Sequence, residues 1–263
     1  VRRNAVPQQT HLVSQWKHDG GPLINCRFAP RGNYVIATAE DRQVLRWELK
    51  SGNKISFSGH DSWARGIAFS HDGQTVVTSG YDDTLIWWPV AAEKPEPIHK
   101  VKAHKGWIRA LAVSPDGTIL ASGGNDRMVK LWNMKDGSLI REMSKPHELD
   151  VYSLAFHPHD GQLLSGDLMG KVHQWTIADG KLTRVLEAKD LHTYNGGQQV
   201  HYGGIRSIAF TPDGKQMACA GLTKATNPLG AVNEPMVVRF DYEPGKILKK
   251  HMIDGVKGIA WRA

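Results

Sequence analysis

Short apolar runs recur along the chain, and clusters of turn-forming residues separate them. The stretch 103–132 has this pattern most clearly, with apolar runs at Ile108–Val113, Thr118–Ser122 and Met128–Trp132. Between the runs lie turns at 114–117 and 123–126, where Pro115 presets φ and Gly117 is free to adopt a positive φ. Short apolar runs bounded by such turns are typical of antiparallel strands, so this stretch is predicted to form three of them.

The same pattern repeats along the chain, and three kinds of residue keep its register. A histidine precedes each unit, at His18, His60, His104, His147, His201 and His251. An apolar residue ends each first run, at Phe28, Phe69, Val113, Phe156, Phe210 and Trp261. An aromatic residue ends each third run, at Trp47, Trp88, Trp132, Trp175 and Phe240. Fourth runs are predicted at Lys54–Ser58, Ile98–Lys102, Leu139–Met143 and Leu182–Leu186.

This period of roughly 40–45 residues resembles the WD40 repeat, in which four antiparallel strands form one blade of a β-propeller. The resemblance implies an all-β chain that forms a single WD40 β-propeller domain over residues 1–263, with five complete blades. These blades are expected at 18–58, 60–102, 104–143, 147–186 and 201–250. The Pro-Asp-Gly turns and compact repeats are similar to those of bacterial multi-WD40 proteins.

Two further segments resemble parts of a closing blade. Residues 11–17 are predicted to form a lone fourth strand, and residues 255–263 to contain a first strand. An incomplete ring exposes strand edges, which proteins usually cover. We therefore expect the chain to be part of a longer protein whose ring has seven blades, with six as the alternative.

The resemblance also implies a structural role for the recurring polar residues. In the family, a His before the first strand, a Ser or Thr of the second, an Asp of the next turn and a Trp of the third form a hydrogen-bonded chain. The implied sets are His18, Thr38, Asp41 and Trp47; His60, Ser79, Asp82 and Trp88; and His104, Ser122, Asp126 and Trp132. Their repetition in successive blades favours the satisfaction of buried polar groups over a catalytic Ser-His-Asp triad.

Units 4 and 5 depart from this pattern. Asp167 lies two residues upstream of the expected position in unit 4, and Phe240 replaces the Trp in unit 5. We expect a weaker polar network in both blades. The two cysteines, Cys26 and Cys219, lie inside apolar runs and are expected to be buried thiols.

Two places are candidate partner-binding surfaces. The top face is the one on which the loops from fourth to first strands and from second to third strands emerge. Its rim is expected to carry Trp63, Arg65, Trp107, Arg109, Tyr152, Arg206 and Lys257. Unit 5 has two long loops on this face, at 188–203 and 221–235, which are expected to meet and which contain His192, Tyr194 and Tyr202. Trp and Arg dominate interface energetics, and long loops are often functional.

Charge and motifs restrict the class of function. The net charge is +7, which suits an acidic protein or peptide partner, but Lys and Arg are spread along the chain and not massed in one run. We find no nucleotide-binding or hydrolase motif. His157 and His159, which Asp160 follows, are explained by substitution within the family's Ser-Pro-Asp-Gly turn, and His192 and His201 lack a third ligand. No metal, cofactor or catalytic residue is therefore expected.

The preferred interpretation is a non-enzymatic protein-interaction scaffold that binds a partner on the top face. The alternatives are a hydrolase or lyase with its site in the central channel, and nucleic-acid binding through the basic rim. Asp150 is the lone acid at the strand-one positions expected to line that channel, which disfavours the enzyme. Two cysteines and no N-glycosylation sequon favour a cytoplasmic setting, and no apolar run reaches the roughly 18 residues that span a membrane.

Overall fold

The computed structural model describes residues 12–225, 233–252 and 255–258. Within these ranges the chain forms five four-stranded antiparallel sheets, one two-stranded hairpin and a single turn of 3-10 helix at Lys189–Leu191. In every four-stranded sheet the strands follow chain order, so each sheet is a meander. The expected all-β architecture and its five complete blades are therefore confirmed.

The first three blades contain twelve strands. Blade 1 consists of β1 Leu23–Phe28, β2 Tyr34–Ala39, β3 Val44–Glu48 and β4 Lys54–Phe57. Blade 2 consists of β5 Ala64–Phe69, β6 Thr75–Gly80, β7 Thr84–Pro89 and β8 His99–Lys102. Blade 3 consists of β9 Ile108–Val113, β10 Ile119–Gly124, β11 Val129–Asn133 and β12 Leu139–Glu142.

The last two blades are separated by the hairpin. Blade 4 consists of β13 Val151–Phe156, β14 Gln162–Asp167, β15 Lys171–Thr176 and β16 Leu182–Glu187. The hairpin pairs β17 His192–Asn195 with β18 Val200–Gly203. Blade 5 consists of β19 Ile205–Phe210, β20 Gln216–Thr223, β21 Glu234–Asp241 and β22 Lys246–Met252.

Turn chemistry fixes the strand ends where the sequence predicts them. In blade 3, β9 has the predicted bounds, and Gly117 in the following turn adopts φ +75°. The Asp116 carboxylate accepts hydrogen bonds from the hydroxyl of Ser114 and the backbone of Thr118. This closes the turn between the first and second strands, and equivalent Asp-Gly turns recur in other blades.

The hydrophobic core lies in layers between neighbouring blades. Between blades 2 and 3, for example, Val77 and Trp87 of one pack with Leu111 and Trp132 of the other. Similar layers join blades 1 and 2, blades 3 and 4, and blades 4 and 5. The first strands of successive blades contact one another, so they form the inner wall of the arc. Each blade therefore depends on its neighbour to bury its apolar face.

The free face of blade 1 differs from the interior ones. Cys26 is exposed, and Phe28 is 69 % exposed, because no described blade packs against this side of β1. The expectation that both thiols are buried is therefore wrong for Cys26 and right for Cys219. Trp16 packs on Trp47 and lines a groove of about 600 Å³ across this face.

The predicted strand at 11–17 is not present in its described part. Residues 12–18 form no strand, since no described third strand lies beside them to complete a ladder; they run over blade 1 instead, where Lys54 donates to the Lys17 carbonyl. Of the second partial strand, residues 255–258 form a turn and a bend, and the remainder lies outside the described residues.

Candidate functional site

Each first strand carries a β-bulge near its start, and the bulged residue is the predicted rim residue. The pairing of β5 with β6 skips Arg65, and that of β9 with β10 skips Arg109. The corresponding residues of blades 4 and 5 are Tyr152 and Arg206, and that of blade 1 is Ile24. A bulge leaves its extra residue outside the ladder and re-aims its side chain. The fold therefore presents one such side chain per blade.

Three aromatic rings stack across blades 2 and 3. Tyr81 lies between the two tryptophans, with ring centroids 5.8 Å from Trp63 and 4.2 Å from Trp107. The planes of Tyr81 and Trp107 are almost parallel, at 4°. Trp63 is 43 % exposed and Trp107 is 44 % exposed, so large apolar surfaces remain open to solvent. Trp63 and Trp107 were predicted for the rim, and the structure brings them together through a third ring.

Arginine side chains extend the stack into blades 4 and 5. The Arg109 guanidinium lies 5.1 Å from the Trp107 ring and 4.6 Å from the Tyr152 ring, and that of Arg206 lies 3.9 Å from Tyr152. Cations within about 6 Å of an aromatic centroid are attracted to its face. We call the continuous row Trp63, Tyr81, Trp107, Arg109, Tyr152 and Arg206 the rim ladder.

Hydrogen bonds fix the arginines of the rim ladder and its neighbour Arg65. The Nη1 atoms of Arg65 and Arg109 each donate to Tyr81 Oη at 3.3 Å. Arg109 Nε also donates to Asn125 Oδ1 at 2.5 Å and lies 3.8 Å from the Asp150 carboxylate. Burial raises the pKa of Asp150 above its ordinary value, although the nearby guanidiniums oppose that rise.

Tyr81 is the member that sequence reasoning missed. It follows β6 in the loop that enters β7, and its backbone N–H donates to the Trp63 carbonyl. An aromatic residue directly before the recurring Asp82 was the available signal, because that loop emerges on the top face. The predicted rim residue Lys257 is not part of the rim ladder and pairs with blade 5, since its Nζ is 3.3 Å from Glu234 Oε1.

The second candidate, the long loop 188–203, folds as the hairpin of β17 and β18. His192 Nε2 lies 2.8 Å from His201 Nδ1, and Tyr194 packs on the His201 ring and is 53 % exposed. Burial and the neighbouring His201 lower the pKa of His192. Tyr202 is buried in a small cluster with Leu222 and Ala225. Tyr202 is therefore a packing residue that joins the described parts of the two long loops, and it does not offer a partner-contacting surface.

The hydrogen-bonded chain of blade 3 has the implied geometry. Trp132 Nε1 donates to Ser122 Oγ at 2.8 Å, Ser122 Oγ lies 2.7 Å from His104 Nε2, and His104 Nδ1 lies 2.9 Å from Asp126. The hydroxyl therefore donates to His104, and His104 donates to the carboxylate. Burial alone would raise the pKa of Asp126, but the hydrogen bonds from His104 and the backbone hold it below its ordinary value.

In blades 1 and 2 the position between the rings is one residue earlier in the chain than the hydroxyl residue implied by the sequence. In blade 2, Thr78 and not Ser79 lies between the rings, with Trp88 Nε1 at 2.9 Å and His60 Nε2 at 2.8 Å. His60 Nδ1 in turn lies 3.0 Å from Asp82. Successive residues of a strand face opposite sides, so Ser79 points to the next blade and donates to its backbone.

Blade 1 has no hydroxyl at that point, because Ala37 occupies it. The implied Thr38 faces away and donates to the Arg65 carbonyl at 3.0 Å. His18 reaches Asp41 directly, through Nε2 at 2.6 Å. Trp47 is buried on the groove side of the blade. The four implied residues therefore share a blade without forming one chain.

Blade 4 contradicts the expectation of a weaker network. Asp167 ends β14 and accepts from His147 Nδ1 at 2.9 Å, while Ser165 Oγ lies 2.7 Å from both His147 Nε2 and Trp175 Nε1. His173 adds a stacked ring, with its centroid 3.7 Å from that of His147. Ligand atoms of the two histidines and Asp167 lie within 4.8 Å of one another. Both nitrogens of His147 serve the hydrogen-bonded chain, so this histidine has no free nitrogen for a metal ion.

Blade 5 replaces the chain with apolar side chains. Phe240 stands opposite Met217, in the register of the other blades' tryptophans, and Cys219 occupies the position of the hydroxyl. Burial strongly raises the pKa of the Cys219 thiol. His201 belongs to the hairpin and not to this blade. Among the described residues, the polar network of blade 5 is therefore weaker than that of blades 2, 3 and 4, as expected.

Comparison with known proteins identifies the family. The family model described as WD domain, G-beta repeat matches residues 52–89, 95–133, 137–176 and 189–224, together more than half of the chain. The chain belongs to the WD40 repeat family. The first three matches begin before the fourth strand of one blade and end with the third strand of the next, so a WD40 sequence repeat spans two blades.

Curated relatives of this WD40 chain are longer proteins. It is 24 % identical over 221 residues to periodic tryptophan protein 2 of Arabidopsis thaliana, covering 83 % of this chain and 23 % of that protein. It is 24 % identical over 208 residues to a guanine nucleotide-binding protein subunit beta of Oryza sativa subsp. japonica, covering 74 % and 52 %. The chain thus spans less than two thirds of these relatives. Both are eukaryotic, and the similarity to bacterial multi-WD40 proteins stays a prediction.

A solved structure supports the fold alone. The crystal structure of the computationally designed Ika8 protein matches with a TM-score of 0.66 and 23 % identity, over 91 % of this chain and 64 % of that one. Within the described residues, no helix has the length and apolar character needed to cross a bilayer. WD40 repeats generally mediate interactions between proteins, which directs attention to the rim ladder.

Proposed function

We propose that this WD40 chain is a non-enzymatic scaffold that binds a peptide or protein segment on its top face, through the rim ladder. The observation that carries the proposal is the pair of tryptophans, Trp63 and Trp107, each more than 40 % exposed and held rigidly by Tyr81 between them. Exposed tryptophans normally cost free energy in water, so an ordered pair at a concave rim is typical of a binding surface.

The residue types support a protein partner. Trp, Tyr and Arg are the side chains most enriched among interface hot spots, and the rim ladder consists of these three types. Stacking and hydrogen bonds reduce the conformational entropy that Arg109 would lose on binding. Relatives point the same way, since one is named a guanine nucleotide-binding protein subunit beta and another a transcription initiation factor TFIID subunit.

The same site favours binding over catalysis. Hydrolysis in a propeller channel needs carboxylates or histidines held near a substrate. The described rim ladder presents cations and stacked rings, and the carboxylate beside it, Asp150, lies 3.8 Å from Arg109 Nε. We also propose a cytoplasmic setting, where thiols such as Cys26 and Cys219 remain reduced.

The test is a selection from a random-peptide library displayed on phage. The affinities of the peptides enriched on the 263-residue chain are then measured for the Trp107→Ala and Leu139→Ala variants. Leu139→Ala is the control, since it truncates a similarly exposed residue of β12 outside the rim ladder. Loss of an aromatic anchor that the bound peptide would cover should weaken binding by about tenfold or more, while the control keeps its affinity. Equal affinities for the two variants would place the binding surface elsewhere.

The hairpin is a second candidate surface for the same function. Tyr194 is the exposed aromatic residue there, beside the paired His192 and His201. A Tyr194→Ala variant in the same selection separates the two surfaces. Peptides that lose affinity for this variant and keep it for Trp107→Ala would assign partner binding to the hairpin.

A further inference from the structure

Three arginines occupy equivalent places in the inner wall. Arg65, Arg109 and Arg206 are the bulged residues of β5, β9 and β19, so the fold itself sets their spacing along the rim. Tyr152 holds the same place in blade 4, between Arg109 and Arg206. The result is a row of guanidiniums with aromatic rings between them.

Two shared tyrosines limit the distances along this row. Arg65 Nη1 and Arg109 Nη1 both lie 3.3 Å from Tyr81 Oη, so the two nitrogens are separated by no more than twice that distance. Arg109 Cζ lies 4.6 Å and Arg206 Cζ 3.9 Å from the Tyr152 centroid, so these carbons are separated by no more than the two distances combined.

An extended peptide has a repeat of a length comparable with these upper limits. Side chains two residues apart in a strand point the same way and are about 6.7 Å apart. That spacing is close to the first limit and within the second. Carboxylates on every second residue would therefore face successive guanidiniums, whereas adjacent acidic residues would point to opposite sides.

The electrostatics of the row favour such a ligand. Burial lowers the pKa of the Arg206 guanidinium, and its interaction with Tyr152 opposes that shift. The positive charges of Arg109 and Arg65 lower this pKa as well, which means that both cations repel Arg206. Asp150, 3.8 Å from Arg109 Nε, already places a carboxylate against this row. A bound carboxylate at each arginine would relieve that repulsion.

We propose that the rim binds an extended peptide segment that carries acidic side chains on every second residue, aligned along Arg65, Arg109 and Arg206. This inference rests on the proposed function and adds the chemistry and register of the partner. The Asp150 carboxylate lies beside the same row of arginines and competes with the ligand for Arg109.

The experiment compares peptides of identical composition and charge by fluorescence anisotropy. One labelled peptide carries three glutamates separated by single threonines; its isomers carry the glutamates in one block, or separated by pairs of threonines. The alternating peptide is expected to bind about tenfold more tightly than either isomer, because each aligned surface pair contributes a few-fold in affinity. Its affinity is expected to fall as salt rises.

Variants test the residues that carry the register. Arg109→Gln should lower the affinity for the alternating peptide to that for its isomers. Arg109→Lys should give an intermediate affinity, because the positive charge remains but the planar guanidinium is lost. Asp150→Asn removes the competing carboxylate and should strengthen binding a few-fold. Lys181→Gln removes one positive charge that is 75 % exposed and lies outside the rim, and should leave binding unchanged. Circular dichroism checks that each variant is folded.

Each of the following results would overturn the inference. Equal affinity for the three peptides would mean that binding depends on net charge and not on the spacing of the glutamates. No measurable binding would mean that the rim does not bind an acidic peptide. Tighter binding of a single-stranded oligonucleotide of equal charge would assign the rim to nucleic acid. Peptides selected from the library that depend on Trp107 but lack acidic residues would leave the proposed function in place, whereas the absence of any Trp107-dependent ligand would remove both.

Discussion

Tyr81 stacks on Trp107 across the boundary between blades 2 and 3, with ring planes 4° apart and centroids 4.2 Å apart. The tyrosine comes from the loop that enters β7, and the tryptophan from the loop that enters β9. Two loops that are distant in sequence are thereby held in one position. The contact makes the top face a rigid surface at the point where both tryptophans are exposed.

The first prediction concerns this stack. Tyr81→Ala removes two ring contacts and the shared acceptor of Arg65 and Arg109, and should destabilise the chain by about 1–3 kcal/mol. Tyr81→Phe keeps the rings and should cost less than about 1 kcal/mol. Urea unfolding followed by circular dichroism measures both values. If the two variants were equally stable, the rings would contribute nothing to the rigidity of the rim.

The second prediction compares two positions in the same strand register. Ser165→Ala leaves Trp175 Nε1 and His147 Nε2 without their buried partner and should cost about 1–3 kcal/mol. Cys219→Ser is the reverse change, since it adds a hydroxyl in blade 5 where Phe240 replaces the tryptophan. It should also destabilise, because that hydroxyl would be buried in an apolar cluster.

Urea unfolding measures these changes as well, with Ser138→Ala as the control in an exposed turn. A neutral Ser165→Ala would mean that the hydrogen-bonded chain of blade 4 does not stabilise the fold. A stabilising Cys219→Ser would mean that blade 5 retains a partner for the hydroxyl.

The repeat pattern predicts blades and turns well, because each blade depends on local turn chemistry and strand alternation. It places the hydroxyl one residue off in blade 2, where Thr78 and Ser79 are both candidates by composition. The spacing to the tryptophan decides which of them faces His60, since the bridging hydroxyl lies ten residues before the Trp in blades 2, 3 and 4. The prediction of a weaker polar network in blade 4 was wrong because Asp167 contacts His147 from the end of β14 instead of from the turn that follows.

The rim was predicted residue by residue, but its organisation was not. Equivalent positions give Arg65, Arg109 and Arg206 from the sequence, whereas Tyr81 enters from a different loop of blade 2. Contact between a loop residue and the next blade depends on how blades are rotated against each other, which a repeat alignment does not contain. Exposure of Cys26 was missed for the same reason, since it depends on what lies beside blade 1.

The third prediction is a pH dependence from blade 4. Burial lowers the pKa of His173 to about 4, with help from the neighbouring His147, while Asp167 opposes the shift. The pKa of this histidine in the unfolded chain is about 6.5. At pH values between these two pKa values, the unfolded chain binds a proton that the folded chain does not. Stability should therefore fall by roughly 3 kcal/mol as the pH is lowered through that window.

His173→Phe should remove most of that fall while keeping a ring against His147, and the lowered pKa of His192 leaves a smaller fall in the same direction. His71→Phe, at an exposed histidine, should leave the whole fall unchanged. Urea unfolding between pH 7 and pH 4 measures the slope. The low-pKa carboxylates Asp82 and Asp126 act in a separate range, since their contribution is lost only as the pH falls below about 3.8. An unchanged slope in His173→Phe would assign the dependence to another group.

The fourth prediction concerns the two thiols. Cys26 lies on the free face of blade 1 and should react with Ellman's reagent in the folded chain. Cys219 is fully buried and its raised pKa disfavours the thiolate, so it should react only after unfolding. Cys26→Ser should abolish the fast reaction. A second fast thiol in the native chain would mean that blade 5 opens readily.

The bulges in the first strands separate two tasks within each blade. Neighbouring residues hold the ladder, whereas the bulged residue contributes little to pairing, so its identity is free to vary at low energetic cost to the sheet. Blade 1 carries Ile24 there, blade 4 carries Tyr152, and the others carry arginine. The rim is thus an array of exchangeable positions, and a new partner specificity could be engineered by substituting one residue per blade on an unchanged scaffold.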